Sequence, residues 1–215
     1  MQDRVVPGEA PPIAVSPNNP CPFLRALVAG GFVGGHVVPI PELCKNIEAA
    51  SGEHGAKEKI VGMKTYGVAL IANGLNPLRL LNSAISGAVL DELRNGPLDK
   101  HGAGSRILDV TARVHEDEIE RLATFGKECN DPAGGTERGL TAKEIETFMA
   151  ANLKRAGDQA RWYYPMLMKG EWPVLLNIMG KGEGEQRYLS VTEVRTLFVE
   201  RRFPDRIVVR LQHGP

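Results

Sequence analysis

The sequence predicts a mostly α-helical single domain with few short strands, on three observations. Apolar residues recur at three- and four-residue steps in several long stretches, most of those stretches open with a proline or a Thr/Ser-x-x-Glu box, and β-type runs are scarce. At 215 residues and 42% hydrophobic content the chain can build one sizeable core and hardly two. One domain is therefore expected over residues 20–215, preceded by an extended arm over residues 1–19. The 26 basic and 26 acidic residues cancel, so no long-range field recruits nucleic acid or an anionic membrane, and nucleic-acid binding is not expected. No membrane span is expected either, because even Val61 to Leu81 is interrupted by Lys, Asn, Gly, Pro and Arg.

Met1 to Asn19 holds Pro7, Pro11, Pro12 and Pro17 and no helical period, hence the arm. Phe23 to Val33 reads as the first helix, ended by glycines, and Pro41 to Ala50 as the second. Lys59 to Ala72 sets Ile60, Met63, Val68 and Ile71 in helical register. Leu78 to Arg94 carries an apolar face of Leu81, Ile85, Val89 and Leu93. Ile107 to Phe125 is expected to be helical, with a solvated acidic face around Glu116 to Glu120. Thr141 to Trp162, an apolar piece from Tyr163 to Ile178, and Ser190 to Arg202 complete the helices. Strand signals are confined to Ile207–Leu211 and Val37-Val38.

Thr141-x-x-Glu144 and Ser190-x-x-Glu193 are capping boxes, each following a glycine-rich loop, Asp131 to Gly139 and Gly180 to Tyr188. The echo suggests paired calcium loops. With Glu144 or Glu193 as the last ligand, however, the first and third loop positions are Ala133 and Gly135, or Gly182 and Gly184, none with a side-chain oxygen. Capping accounts for both motifs.

The chemistry concentrates at Pro20-Cys21-Pro22. Pro20 biases its surroundings toward extended backbone and Pro22 has the φ of a first helical residue, so Cys21 falls at or next to a helix N-cap. Orphan backbone N–H groups and the positive end of the helix dipole favour a thiolate there, the form that ligates metals or attacks electrophiles. A small buried cysteine that merely caps a helix is the structural alternative. Cys21, Cys44 and Cys129 make an odd count, against a disulfide framework and consistent with a reducing compartment. The start of the chain lacks an apolar run of signal-peptide type, so the expectation is cytoplasmic, or secreted if a leader was removed.

Pro20-Cys21-Pro22 followed by Phe23-Leu24-Arg25-Ala26-Leu27-Val28-Ala29-Gly30-Gly31-Phe32-Val33 resembles the opening signature of the heme-thiolate peroxidases, the chloroperoxidase and unspecific peroxygenase family. That family reads Pro-Cys-Pro, then Leu-Asn-x-Leu-Ala-Asn-His-Gly-aromatic; here Arg25, Ala29 and Gly30 replace the Asn and the Asn-His. The resemblance implies a helical single domain around heme b, with Cys21 as the proximal ligand of the heme iron. Hydrogen peroxide and a small organic substrate would be the partners.

Leu98-Asp99-Lys100-His101-Gly102-Ala103-Gly104-Ser105-Arg106 resembles a degraded copy of the family's Glu-His-Asp-x-Ser-Leu-Ser-Arg motif. There the acidic residue and serine hold a divalent cation, Mg2+ or a similar ion, beside a heme propionate, and in several members the His assists the distal acid. Asp99 falls on the Glu, Lys100 on the His, His101 on the Asp and Ala103 on the metal-binding Ser. Asp99 is thus the candidate for the divalent cation, Lys100 for pairing with the propionate directly, and His101 for the assisting role. A shifted alignment would use Asp109 and Thr111, and a polar turn is the plain structural reading. Glu146-Thr147-Phe148 matches part of the family's Phe-Asn-x-Glu-Thr-Phe, which makes Glu146 the candidate distal acid-base group and Glu144 its rival. Leu189–Phe198 and Arg201-Arg202-Phe203-Pro204 resemble a further segment that speaks to fold alone.

Other chemistries lack their motifs: no His-Glu-x-x-His, Gly-x-Ser-x-Gly, Gly-Lys-Ser/Thr phosphate loop or Cys-x-x-Cys occurs. His115-Glu116-Asp117 reads as a solvated helix face. Two readings without catalysis stand beside the peroxidase: a heme-binding sensor, and a heme-free interaction module on the same fold.

Overall fold

The computed structural model describes residues 14–52, 56–94, 96, 98–99, 103–168 and 170–213, with backbone only for 56–62. The chain is mostly helical, 57% helix, with a few short strands. No described helix is long and apolar enough to cross a membrane. The fold divides into two compact units. The first takes the described residues up to Asp99, Val110–Ala112 and those from Glu200 onward; the second takes residues 103–109 and the described residues of Arg113–Val199.

The first unit begins with α1 (Pro22–Ala29), with Pro22 at the first helical position as its fixed φ dictates. It continues through β1 (Val37–Val38), α2 (Ile40–Ser51), α3 (Ala56–Ile71), α4 (Pro77–Ser86) and β2 (Ala88–Val89). β1 and β2 pair antiparallel, Val37 opposite Val89 and Val38 opposite Ala88, which bears out the Val37-Val38 strand. Phe23, Ala26, Leu27 and Val28 of α1 are buried with Ile40, Leu43, Leu90, Phe203 and Ile207. Phe203 packs edge-on against Phe23, ring centroids 4.8 Å apart, and that burial stabilises by roughly 1.5–3 kcal/mol.

Two expectations fail in this unit. The helix expected over Leu78 to Arg94 stops at Ser86, because Gly87 adopts φ 111° and ψ −174° and a side chain there would collide with the Val38 carbonyl. Its apolar face does not line a core: Leu81 and Ile85 are exposed, Val89 lies in β2 and only Leu93 is buried. The strand expected at Ile207–Leu211 is instead a helix, α10 (Asp205–His213). Helical spacing buries Ile207 and lets Arg210 donate to the carbonyls of Ala50 and Ser51 at the end of α2, at 3.3 and 3.4 Å. That arrangement overrides the β propensity of Ile-Val-Val.

The second unit holds α5 (Glu116–Phe125), β3 (Lys127–Asn130), β4 (Thr136–Thr141), α6 (Ala142–Ala156), α7 (Tyr164–Met168), α8 (Trp172–Met179), β5 (Tyr188–Ser190) and α9 (Val191–Arg195). α9 continues as a π turn over Thr196–Glu200. The strands form an antiparallel sheet in the order β3-β4-β5, with Leu140 opposite Leu189. An aromatic row of Phe125, Phe148, Trp172 and Phe198 runs through the core with successive centroids 5.4, 5.2 and 6.3 Å apart. α5 begins nine residues later than expected. Before it, Asp109 accepts from Arg113 N and pairs with His115, and Leu108 bridges Val114, closing a tight loop that a helix cannot contain. The acidic face is not wholly solvated either, since Glu118 binds Arg155 at 2.6 and 3.0 Å.

Candidate functional site

Cys21 is the N-cap of α1, with φ −83° and ψ 114°, and its side chain makes no capping hydrogen bond. The chain approaching it is tied down. Asn19 is buried and accepts from Cys21 N at 3.1 Å through Oδ1, while Arg94 N donates to Asn18 O at 2.9 Å. Arg25, one turn into α1, donates from Nη1 to the carbonyls of Ser16 and Asn19 at 3.0 and 3.3 Å. The described end of the arm is thus fastened to the helix it precedes, and the position of the sulfur is fixed with it.

The electrostatics are cationic. Arg25 is buried among apolar residues of α1. Burial above all, then repulsion from Arg201 and Arg94, pulls its pKa to about 10, against an attraction to Cys21 that favours its charge. That attraction is mutual, so the guanidinium favours the Cys21 thiolate as the amides of the first turn do. Of the other thiols, burial and then Glu48 push Cys44 up, and burial pushes Cys129 up. Arg25 is the functional residue that motif matching passed over. An arginine amid Phe23, Ala26, Leu27 and Val28, on a helix too short to spare a polar face, was its signal.

Of the second motif, Lys100 and His101 lie outside the described residues. Asp99 faces Arg94, Oδ1 to Nη1 3.8 Å, in a largely buried pair. Ala103 is fully buried and brings no oxygen to its position. Asp109 and Thr111 of the shifted alignment part ways: Asp109 is engaged with Arg113 and His115, and Thr111 is exposed. Among the described residues no group of three or more His, Cys, Asp or Glu is arranged to hold a metal ion.

Both acid-base candidates lie on α6 of the second unit, whereas Cys21 and Asp99 belong to the first. Glu144 is committed to structure: its carboxylate accepts from Thr141 N at 3.1 Å, bonds the Thr141 hydroxyl and pairs with Lys127 at 3.2 Å. Burial opposes its charge, but Thr141 and Lys127 more than offset this and hold the carboxyl below the usual range. Glu146, two residues on, is exposed and has no hydrogen-bond or ion-pair partner among the described residues.

A heme iron bound through Cys21 was tested against this setting. The donor set suits it: a thiolate-favouring N-cap, buried cationic charge at Arg25, and an orphaned buried amide, Asn19 Nδ2, two residues from the sulfur. Donors beside a ligating thiolate hold and tune it. The divalent cation does not fit, since Asp99 already faces a guanidinium and Ala103 offers nothing. Compared with known proteins, the chain matches no family model, no curated protein and no solved structure.

Proposed function

We propose that this protein is a heme-thiolate peroxidase or peroxygenase that uses hydrogen peroxide to oxidise or oxygenate a small organic substrate. The observation that carries the reading is Cys21 at the N-cap of α1 with the buried Arg25 one turn behind it. Heme b, when bound, supplies the oxidising iron, and thiolate ligation favours O–O cleavage.

The chain's own residues do the rest. Pro20 and Pro22 hold Cys21, and Arg25 and the first-turn amides keep its sulfur anionic. Glu146, with no competing partner among the described residues, takes the proton from one peroxide oxygen at its carboxylate and returns it to the other. His101 is the assisting group and Lys100 the propionate partner by resemblance; the divalent cation is not part of the proposal.

The test is peroxide-driven turnover. Cys21→Ala should abolish it, and Glu146→Gln should lower it about a hundredfold to ten-thousandfold, the usual contribution of a general acid-base group, with heme still bound. Glu144→Gln should keep activity and lose roughly 1 kcal/mol of stability or less. Equal activity losses in the two glutamate variants would remove Glu146 from the mechanism.

A second reading, a heme-free interaction module, is favoured by one observation. Leu78, Leu81 and Ile85 share a face of α4 and are 76%, 57% and 75% exposed, with Met63 and Tyr66 of α3 exposed as well. A purified protein that leaves the visible spectrum of added hemin identical to that of free hemin would select it.

A further inference from the structure

Where α5 and α6 of the second unit meet, the apolar packing is interrupted by a patch of polar side chains. Glu118 and Arg121 lie one turn apart on α5, and Asn152 and Arg155 one turn apart on α6. Arg155 donates from Nη1 and Nη2 to the two oxygens of Glu118 at 2.6 and 3.0 Å, and from Nη2 to the Ser105 carbonyl at 3.3 Å. Arg121 Nη1 donates to Asn152 Oδ1 at 2.7 Å and lies 3.6 Å from Glu118 Oε2. Its guanidinium carbon sits 5.2 and 5.4 Å from the ring centroids of Phe125 and Phe148, cation–π contacts that hold it in place.

The patch has more donors and more positive charge than these contacts use. Asn152 is 1% exposed, its Oδ1 is taken by Arg121, and its Nδ2 has no hydrogen-bond partner among the described residues. Turning the amide over is no remedy, because Arg121 would then face an NH2 group. Arg155 Nε is likewise buried without a partner among the described residues. Glu118 alone serves both guanidiniums of the patch. Burial first and then repulsion from Arg155 lower the pKa of Arg121, with Glu118 opposing and Arg106 adding to the repulsion. Arg121 and Arg155 are each 26% exposed, so the patch borders solvent.

We propose that this patch binds a phosphate-type oxyanion, taken as the free ion or as the phosphoryl group of a small molecule, with Asn152 Nδ2, Arg155 Nε and the Arg121 guanidinium as donors. Such an anion brings acceptors to the two orphaned N–H groups and negative charge to guanidiniums that repel one another. A tetrahedral anion offers oxygens to donors on several side chains at once, and the permanently charged, planar guanidinium suits phosphate. The orphaned donors set the patch apart from an ordinary ion-pair network, in which each buried N–H has its acceptor. The inference is independent of the heme reading.

The test is equilibrium dialysis of the full chain against radiolabelled phosphate, with ionic strength held by sodium chloride. The wild type should bind one phosphate per chain. Glycerol phosphate as competitor separates the two sources: displacement at equal or lower concentration assigns the site to a phosphoryl group, and a need for about tenfold more assigns it to the free ion. Asn152→Asp keeps the size of the side chain and the acceptor for Arg121 but exchanges the N–H donor for negative charge. It should weaken phosphate binding about tenfold or more, the order that one hydrogen bond to a charged group contributes. Arg155→Lys keeps a cation for Glu118, removes Nε and should weaken binding similarly; it carries the comparison alone if Asn152→Asp does not fold. Arg195→Gln, in the exposed pair with Glu116, should bind as the wild type does. A wild type that retains no phosphate, displacement by equimolar acetate, or unchanged affinity in either patch variant would overturn the proposal and leave the orphaned donors to water.

Discussion

The start of α1 and the joined loops of the second unit are opposite electrostatic solutions. At the loops, the Lys181 ammonium meets the carboxylates of Asp131, Glu137 and Glu193 at 2.8, 2.6 and 3.7 Å, so the carboxylates find their cation inside the chain. At α1, burial first and then the like charges of Arg201 and Arg94 pull Arg25 to about 10, against an attraction to Cys21. A cluster built around its own cation is a structural device. A cation-rich helix start around a thiol favours bound negative charge, which is where chemistry is expected.

Arg25 gives the largest way to break this contrast. Arg25→Met removes the two hydrogen bonds that fasten Ser16 and Asn19, for an expected loss of about 1–3 kcal/mol in denaturant unfolding. It should also raise the pKa of the Cys21 thiol, read from the pH dependence of its alkylation, while the alkylation of Cys44 and Cys129 stays unchanged. An Arg25→Met protein with wild-type Cys21 reactivity would show that the guanidinium is only a strap.

On the other side, Gly139→Ala places a methyl against the ring of Tyr188, which donates to Glu137 beside Lys181. Overpacking of this kind costs about 1–3 kcal/mol, so the Tm should drop by several degrees. An unchanged Tm would mean that the sheet yields where it is described as tight.

The effect of pH on stability follows the contacts of Lys181 and Tyr188 with Asp131 and Glu137. Lys181 and Tyr188 have raised pKa values, so their contribution is complete at neutral pH and is lost as pH rises above about 10. Asp131 is depressed, so its contribution is present above about pH 4 and is lost as pH falls below that. Lys181→Gln should flatten the alkaline limb of a stability–pH profile; a profile identical to wild type would contradict a stabilising role for the Lys181 contacts.

A smaller effect is expected from Thr141→Ala, which removes half of a complete capping box and should cost about 1 kcal/mol. Limited proteolysis bears on the expectation of one domain over 20–215: a cooperative domain yields no stable fragment, and two persistent fragments would contradict it.

Local chemistry made much of this legible. Cys21 at the N-cap, Pro22 inside the helix and the Thr141 box are short-range features, and each stands where its residues dictate. What escaped depends on partners distant in sequence. Gly87 ends α4 because Val38 lies against it, Arg210 draws Ile207–Leu211 into a helix on α2, and the Glu193 carboxylate faces Lys181. The strands of the second unit were hidden similarly: Lys127 to Asn130 carried no strand signal, and Thr136 to Thr141 read as the end of a glycine-rich loop and a cap until paired. Of the site, the thiol was legible and the buried cation behind it was not, because Arg25 acts through carbonyls contributed by the arm.

The central claim is that Cys21 is the ligand, and the visible spectrum of the hemin-reconstituted, reduced protein under carbon monoxide tests it most directly. The account predicts the red-shifted Soret band of thiolate ligation in the wild type and in Cys44→Ala and Cys129→Ala, and its absence in Cys21→Ala. A wild-type band at the position given by histidine ligation, or a thiolate band that survives Cys21→Ala, would contradict it.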